Sequence, residues 1–134
     1  MDGASTSVLA LSGGVGGAKL ALGLADLLPP GLLHVVVNTG DDFSHLGLHI
    51  SPDIDTLLYT LSDNANAAQG WGLSGESWQA MDALERLGGD TWFRLGDRDL
   101  ATHLRRTGML AQGDDLLQVT AELAARFGIA SQIH

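Results

Sequence analysis

The stretch SVLALSGGVGGAKLALGLADLLPPG, residues 7 to 31, constrains the fold of this chain more than any other. Val8 to Leu11 is a run of apolar β-formers that ends at Ser12. Four glycines within five residues follow, Gly13, Gly14, Gly16 and Gly17, and then Lys19. Apolar residues resume with helical spacing at Leu20, Leu24, Leu27 and Leu28, until Pro29, Pro30 and Gly31 stop the helix. Strand, glycine loop and helix in that order form the skeleton of a phosphate site. Backbone N–H groups at a helix N-terminus face outward with no Cβ in the way, and the lysine in the first turn meets negative charge. Neither standard motif is present. The Walker A register fails because Ala18 stands five residues after Gly13 and Leu20 follows Lys19, and the dinucleotide fingerprint fails because Lys19 stands where a third glycine belongs. The phosphate reading therefore rests on the local mechanism, against a tight βα turn that holds nothing.

LLHVVVNTG reads as a second strand, with Val35 to Val37 the continuous apolar run of a buried parallel strand. Its end delivers Asn38, Thr39, Asp41 and Asp42 to a loop at the carboxyl edge of the sheet, where ligands of open parallel sheets sit. A brief extended piece precedes a helix with Ser51 as N-cap, Pro52 at the first helical position and acids in the first turn. Residues 63 to 75 read as a loop, ESWQAMDALERLGG as an amphipathic helix, and TWFRLGD as extended. Two further helices follow, with Asp97 and Asp114 as expected caps and Gly128 as the last stop. The expectation is a single α/β domain over residues 8–134 behind a flexible tail over 1–7. It is Rossmann-like and three-layered around a mostly parallel sheet of three or four visible strands, incomplete at the C-terminus, where FGIASQIH begins another apolar run. A sheet this narrow exposes an edge, which points to a dimer or to a longer protein.

Charge narrows the partners. Seven Lys plus Arg against 16 Asp plus Glu leave a net charge of −9, so a nonspecific grip on nucleic acid or an anionic membrane is not expected. The partner should be small, or bridged by a metal. The absence of cysteine removes disulfides, thiolate nucleophiles and thiolate zinc sites together. MDGASTS lacks the features of a signal peptide, and no stretch approaches the roughly 18 apolar residues of a membrane span, so a cytoplasmic protein is the expectation.

Two polar clusters remain. Asp41, Asp42, Asp53 and Asp55 surround a strand exit and a helix start; Asp53 and Asp55, two apart on a helix, do not share a face. With Asp41 or Asp42, one of them could complete an oxygen site for magnesium; the competing reading is helix-dipole complement and solvated loop charge. FRLGDRDLATH brings Arg94, Asp97, Arg98, Asp99 and His103 together in a chain poor in basic residues. Arginines there can clamp a phosphate or a planar ring. Arg105 and Arg106 read as a surface ion-pair network, His103 as structural, and His45 and His49 as loop histidines.

LSGGVGGAKLALGL, VVVNTGDDF, ISPDIDTLLYTLSD, GWGL and LGDRDLATHLRRT occur in the order and approximate spacing of the 2-phospho-L-lactate transferase family, which the chain resembles from about Val8 to Ile129. The resemblance implies a magnesium-dependent transfer. The terminal ribityl hydroxyl of a deazaflavin precursor, Fo, attacks a phosphate of a guanosine diphospho-linked lactate, or of a related enolpyruvyl or glyceryl donor, and GMP leaves. It further implies that Asp55 and Arg94 contact the precursor, with Asp55 orienting the hydroxyl or taking its proton. Gly13, Gly14, Gly16, Gly17 and Lys19, with Asp97 and Arg98, would face the nucleotide phosphates, and Asp41, Asp42 and Asp53 the metal. Lysine is frequent in the family where Arg94 stands. Members are about twice as long and are expected to be homodimers, so this chain resembles an N-terminal portion, with partial binding competence at most. The rival readings are a nucleotide-sugar-binding regulator of the same superfamily, a nicotinamide binder and a noncatalytic fragment.

Overall fold

The computed structural model describes residues 6–134; of the tail expected over residues 1–7, the first five lie outside the described residues. β1 (Val8–Ser12) feeds α1 (Gly14–Leu27), and β2 (Leu33–Val37) runs parallel to β1 with Ala10 opposite Val35. The apolar run foreseen at the end of the chain becomes β5 (Gln132–Ile133), which adds in parallel to the other side of β2, giving the order β1-β2-β5. Alternation along these strands sends Ala10, Leu33, Val35, Val37 and Ile133 to one face. There they meet Ala18 and Ala21 of α1 and Val119, Leu123 and Ala124 of α5 (Leu116–Arg126). α2 (Pro52–Leu61) packs on α1 and buries Ile54, Leu57 and Leu58 in the same core. Each fully buried leucine there contributes roughly 1.5–3 kcal/mol. On the opposite face Leu9 and Leu11 are 65% and 77% exposed, so the described residues cover the sheet from one side only. The expected Rossmann-like α/β class holds.

β3 (Phe43–His45) and β4 (Leu48–Ile50) form an antiparallel hairpin. Its two-residue turn puts both Leu46 and Gly47 at positive φ, 53° and 74°, the backbone that matches the twist of the flanking strands. The hairpin closes a second core of Ile50, Met81 and Leu95, lined by Phe43, Phe93 and Leu100. Met81 comes from α3 (Gln79–Arg86), and Leu100 from α4 (Asp97–Ala111).

Several local expectations change. The stretch TWFRLGD, read as extended, pairs with no strand over residues 91–96 and enters α4 at Asp97, and the hairpin meets it through side chains: Phe43 lies edge-on to Phe93, and His45 to Trp92. The N-cap of α4 is Gly96, not Asp97. Asp97 instead accepts hydrogen bonds from the Gln79 and Ala80 N–H groups and from the Ser77 hydroxyl, which caps α3. Glu76 does the reverse, accepting from the Arg98 and Asp99 N–H groups at the start of α4. The two helix starts thus cap each other through residues 74–80. The cap of α5 is Asp115, one residue after Asp114, in a reciprocal pair with Gln118 that the D-x-x-Q spacing permits only there. Ser51 is the N-cap of α2 by position, but its hydroxyl donates to Asp42 instead of accepting from the helix. Arg106 leaves the expected surface network altogether: it is fully buried, whereas Arg105 is exposed. Gly128, at φ 72°, ends α5 as expected.

Candidate functional site

The first turn of α2 places Asp53 by the glycine loop of one recess and Asp55 in the lining of another. The first is at the carboxyl ends of β1 and β2, where a shallow cavity of about 320 Å³ is lined by Leu11, Ser12, Gly13, Val36, Val37 and Asn38. Gly14, at φ 65°, turns the chain from strand to helix, a conformation in which a side chain is strained. Gly17 permits a close approach: a Cβ there would lie 2.6 Å from Ser12 Oγ and 3.0 Å from Ser12 Cα. The four glycines and the exposed Lys19 therefore surround a helix start held tight against its strand.

Asn38 organises the acids beside this loop. Its Oδ1 accepts from the Gly40 N–H at 3.0 Å, which leaves Nδ2 to donate to Asp53 at 2.9 Å and to Asp41 at 3.2 Å. A Cβ on Gly13 would sit 3.6 Å from the Asp53 carboxylate, so the glycine loop, Asn38, Asp41 and Asp53 form one cluster. Asp42 is turned elsewhere, accepting from Ser51 Oγ at 2.7 Å and lying 3.0 Å from His49 Nε2.

The second recess, about 200 Å³, lies beyond the first turn of α2. Its walls include Ile50, Tyr59, Trp71 and Phe93, and its polar lining is Asp55, Thr56, Arg94, Asp99 and His103. Asp55 is held by Arg106, which donates from Nη2 to Oδ1 and from Nη1 to Oδ2. Burial pushes the Asp55 carboxyl up from its ordinary range, and the Arg106 guanidinium opposes this. Arg106 also donates to His103 Nδ1 at 3.2 Å, so Nε2 carries the imidazole proton and points at Asp99 Oδ2, 3.0 Å away. The Tyr59 hydroxyl donates to Asp99 Oδ1. Burial drives the tyrosine pKa well up, so this hydroxyl stays a donor. For Asp99 burial works upward too, yet the bonds from His103 and Tyr59 outweigh it and hold its carboxyl below the usual range. One ligand atom each from Asp55, Asp99 and His103 lie within 4.8 Å of one another, a grouping able to take a metal by distance.

Of the residues singled out from sequence, the structure brings Gly13, Asp41 and Asp53 together and puts Asp55 and Arg94 on one pocket wall. Arg94 pairs with Asp82 and Glu85 of α3 and lies over the Trp78 ring, 5.8 Å from its centroid. The side-chain hydrogen bonds of Asp97 and Arg98 run to residues 74–80, with Arg98 Nη1 donating to Ser74 O at 2.6 Å. Sequence reasoning placed Asn38 and Asp99 in candidate clusters without giving them a role, missed Tyr59 and Arg106 as site residues, and read His103 as structural. A signal for three of them was present: Asp99, Thr102, His103 and Arg106 recur at i, i+3, i+4 and i+7, so the buried stripe of α4 is polar.

A glycine turn at the carboxyl ends of β1 and β2, and a second pocket that joins aromatic side chains to Asp55, Asp99 and His103, stand on a Rossmann-like α/β fold. Among the described residues no helix is long and apolar enough to cross a membrane. The family model of 2-phospho-L-lactate transferase CofD matches residues 8–134, and the chain belongs to that family. It is 46% identical over 90% of its length to the phosphoenolpyruvate transferase of Streptomyces griseus, covering 38% of that protein. Against the proteins of the same name from Nocardia farcinica and Mycobacterium tuberculosis it is also 46% identical over 90% of its length, covering 36% and 40% of them. The chain thus spans about two fifths of the length of the curated relatives it matches.

Proposed function

We propose that this chain carries the nucleotide-phosphate cradle and the acceptor pocket of a transferase that moves a phosphoenolpyruvyl group, or the related phospholactyl group, from a guanosine diphospho-linked donor to the ribityl hydroxyl of Fo, releasing GMP. One observation carries the reading. The first turn of α2 sets Asp53 against the glycine loop and Asp55 into the aromatic pocket, so a phosphate held at the first recess lies beside an acceptor held at the second. In such a transfer the protein chiefly positions the reactants and neutralises charge, which needs backbone donors, cations and carboxylates but no nucleophilic side chain. The name the relatives share, phosphoenolpyruvate transferase, favours the enolpyruvyl donor.

Magnesium fits the first recess. Asp41 and Asp53 converge on the Asn38 amide next to the glycine loop, an all-oxygen set once that amide gives way, and magnesium prefers one or two carboxylates with phosphate oxygens. Bound there, it would neutralise phosphate charge. The Asp55, Asp99 and His103 group suits it less, since one ligand is nitrogen and Arg106 already supplies the counter-charge. Gly13 to Gly17 and Lys19 would hold the donor phosphates, and Arg94 would meet the ring or its charge.

Titrating Fo, followed by its fluorescence, into the native chain with GDP and magnesium tests the reading. Saturable binding lost in Arg94→Ala, and in Asp55→Ala under conditions where its circular dichroism and GDP affinity stay native, supports it. Absence of binding in the native chain overturns the placement of the acceptor pocket here.

A further inference from the structure

Resting on the transferase reading, a sharper assignment is available within the acceptor pocket. Asp55 and Asp99 both line it, yet they are unequally free. Both oxygens of Asp55 are taken by Arg106, and its side chain is 7% exposed. Asp99 is 20% exposed, and each of its oxygens receives a single side-chain hydrogen bond, from Tyr59 on one and His103 on the other. A carboxylate oxygen has two acceptor sites, so Asp99 retains capacity towards the pocket. Its orientation is fixed from three directions. Its backbone N–H is held by Glu76, its Oδ1 by a hydroxyl that remains protonated, and its Oδ2 by an imidazole whose tautomer Arg106 dictates. Arg106 in turn is anchored by Asp55. The chain Asp55, Arg106, His103, Asp99 runs from the buried interior to the pocket surface.

We propose that Asp99 is the residue that accepts the hydrogen bond of the acceptor's hydroxyl, and that Asp55 acts on it as a positioning residue through Arg106 and His103. The ligand class this pocket selects is a planar aromatic ring, set between Trp71, Phe93 and Tyr59, that carries a hydroxylated side chain able to reach the Asp99 carboxylate.

The test uses two fluorescent probes, Fo and an otherwise identical deazaflavin with a methyl group in place of its ribityl chain. The native chain should bind Fo at least ten times more tightly than the methyl probe. Asp99→Asn should lose that preference, weakening Fo tenfold or more while leaving the methyl probe within about twofold. GDP affinity and circular dichroism should stay unchanged. Asp99→Ser removes the carboxylate without setting an amide N–H against Tyr59 and His103, and gives the same reading if the Asn variant misfolds. Tyr59→Phe, which keeps the carboxylate but removes one of its donors, should weaken Fo two- to fivefold. A role confined to stability would lower the affinity for both probes together, so an unchanged Fo preference in the Asp99 variants overturns the assignment and leaves the transferase reading standing. If the native chain itself binds neither probe, both fall.

Discussion

Arg106 is fully buried and its partner Asp55 nearly so, with side chains 0% and 7% exposed. Arg106→Met keeps most of the side-chain volume but removes both hydrogen bonds to the carboxylate, the bond to His49 O at 3.3 Å and the bond to His103 Nδ1. Breaking a buried pair from one side costs about 3–5 kcal/mol, because the surviving charge has no counterpart. The shared contacts with His49 and His103 place this case at the upper end. Against a total stability of about 5–15 kcal/mol this is a large loss, readable as a fall in the urea midpoint at pH 7. The double variant Asp55→Leu/Arg106→Met removes both charges and should recover most of it, within about 1 kcal/mol of the native chain, since apolar replacement of a buried pair is often neutral. The pH dependence carries a sign. Losing the guanidinium removes the main influence that lowers the Asp55 pKa, so this carboxyl rises further. A carboxyl whose folded pKa lies above its unfolded value favours folding at low pH and penalises it as pH climbs through the folded value. The single variant should therefore come closer to native stability as pH is lowered from 7 to 5, and the double variant should show no such trend. A single variant losing less than about 1 kcal/mol at pH 7, or a double variant no better than the single, would refute this account of the pair.

Asp115→Ala should cost about 0.5–2 kcal/mol through loss of the α5 cap, while Asp114→Ala stays within about 0.5 kcal/mol, both by urea denaturation; equal losses would refute the assignment of the cap. Gly17→Ala should abolish GDP binding and lower thermal stability, because its Cβ meets the Ser12 backbone; native-like affinity in a calorimetric titration would contradict it. The Ser77 hydroxyl and the Ala80 and Gln79 N–H groups hold the Asp97 carboxyl below its ordinary 3.8. The stability it adds is present above that value and vanishes as pH falls through the folded pKa, so the gap between native and Asp97→Asn should narrow below pH 4 in urea titrations, and a pH-independent gap would exclude it.

What the sequence disclosed followed interaction range. β1, the glycine turn, α1 and β2 were legible because strand, turn and helix are each written within a few neighbouring residues. Misplacements occurred where two adjacent residues could play the same part. Asp114 and Asp115 both precede α5, and only the reach of Gln118 back to the N-cap N–H decides between them. Asp97 has the position of a cap for α4 but caps α3, whose start is 18 residues earlier, because the loop over residues 74–80 folds back across it. Arg106 lay furthest from reach: its partner is 51 residues away, and nothing local distinguishes it from Arg105 except the phase of the helix. That phase was nevertheless readable. A stripe of Asp99, Thr102, His103 and Arg106 on a helix that must bury one face requires buried polar partners elsewhere, and Asp55 of α2 and Tyr59 are those the fold supplies.

The separation of Asp53 from Asp55 explains why the two recesses occur together. Two residues on a helix differ in direction by about 200°, so adjacent acids of this spacing address opposite sides of one helix start. Pro52 and Ser51 fix where that start falls, and Asn38 on one side and Arg106 on the other take hold of the two carboxylates. A one-residue shift in the start of α2 would pull both acids off their partners at once, coupling the phosphate cradle to the acceptor pocket through one turn of backbone. Loosening of that turn should therefore weaken GDP and Fo together, whereas changes at Asn38 or Asp99 should each affect one ligand. The distinction separates a single integrated transfer site from two sites that merely share a domain.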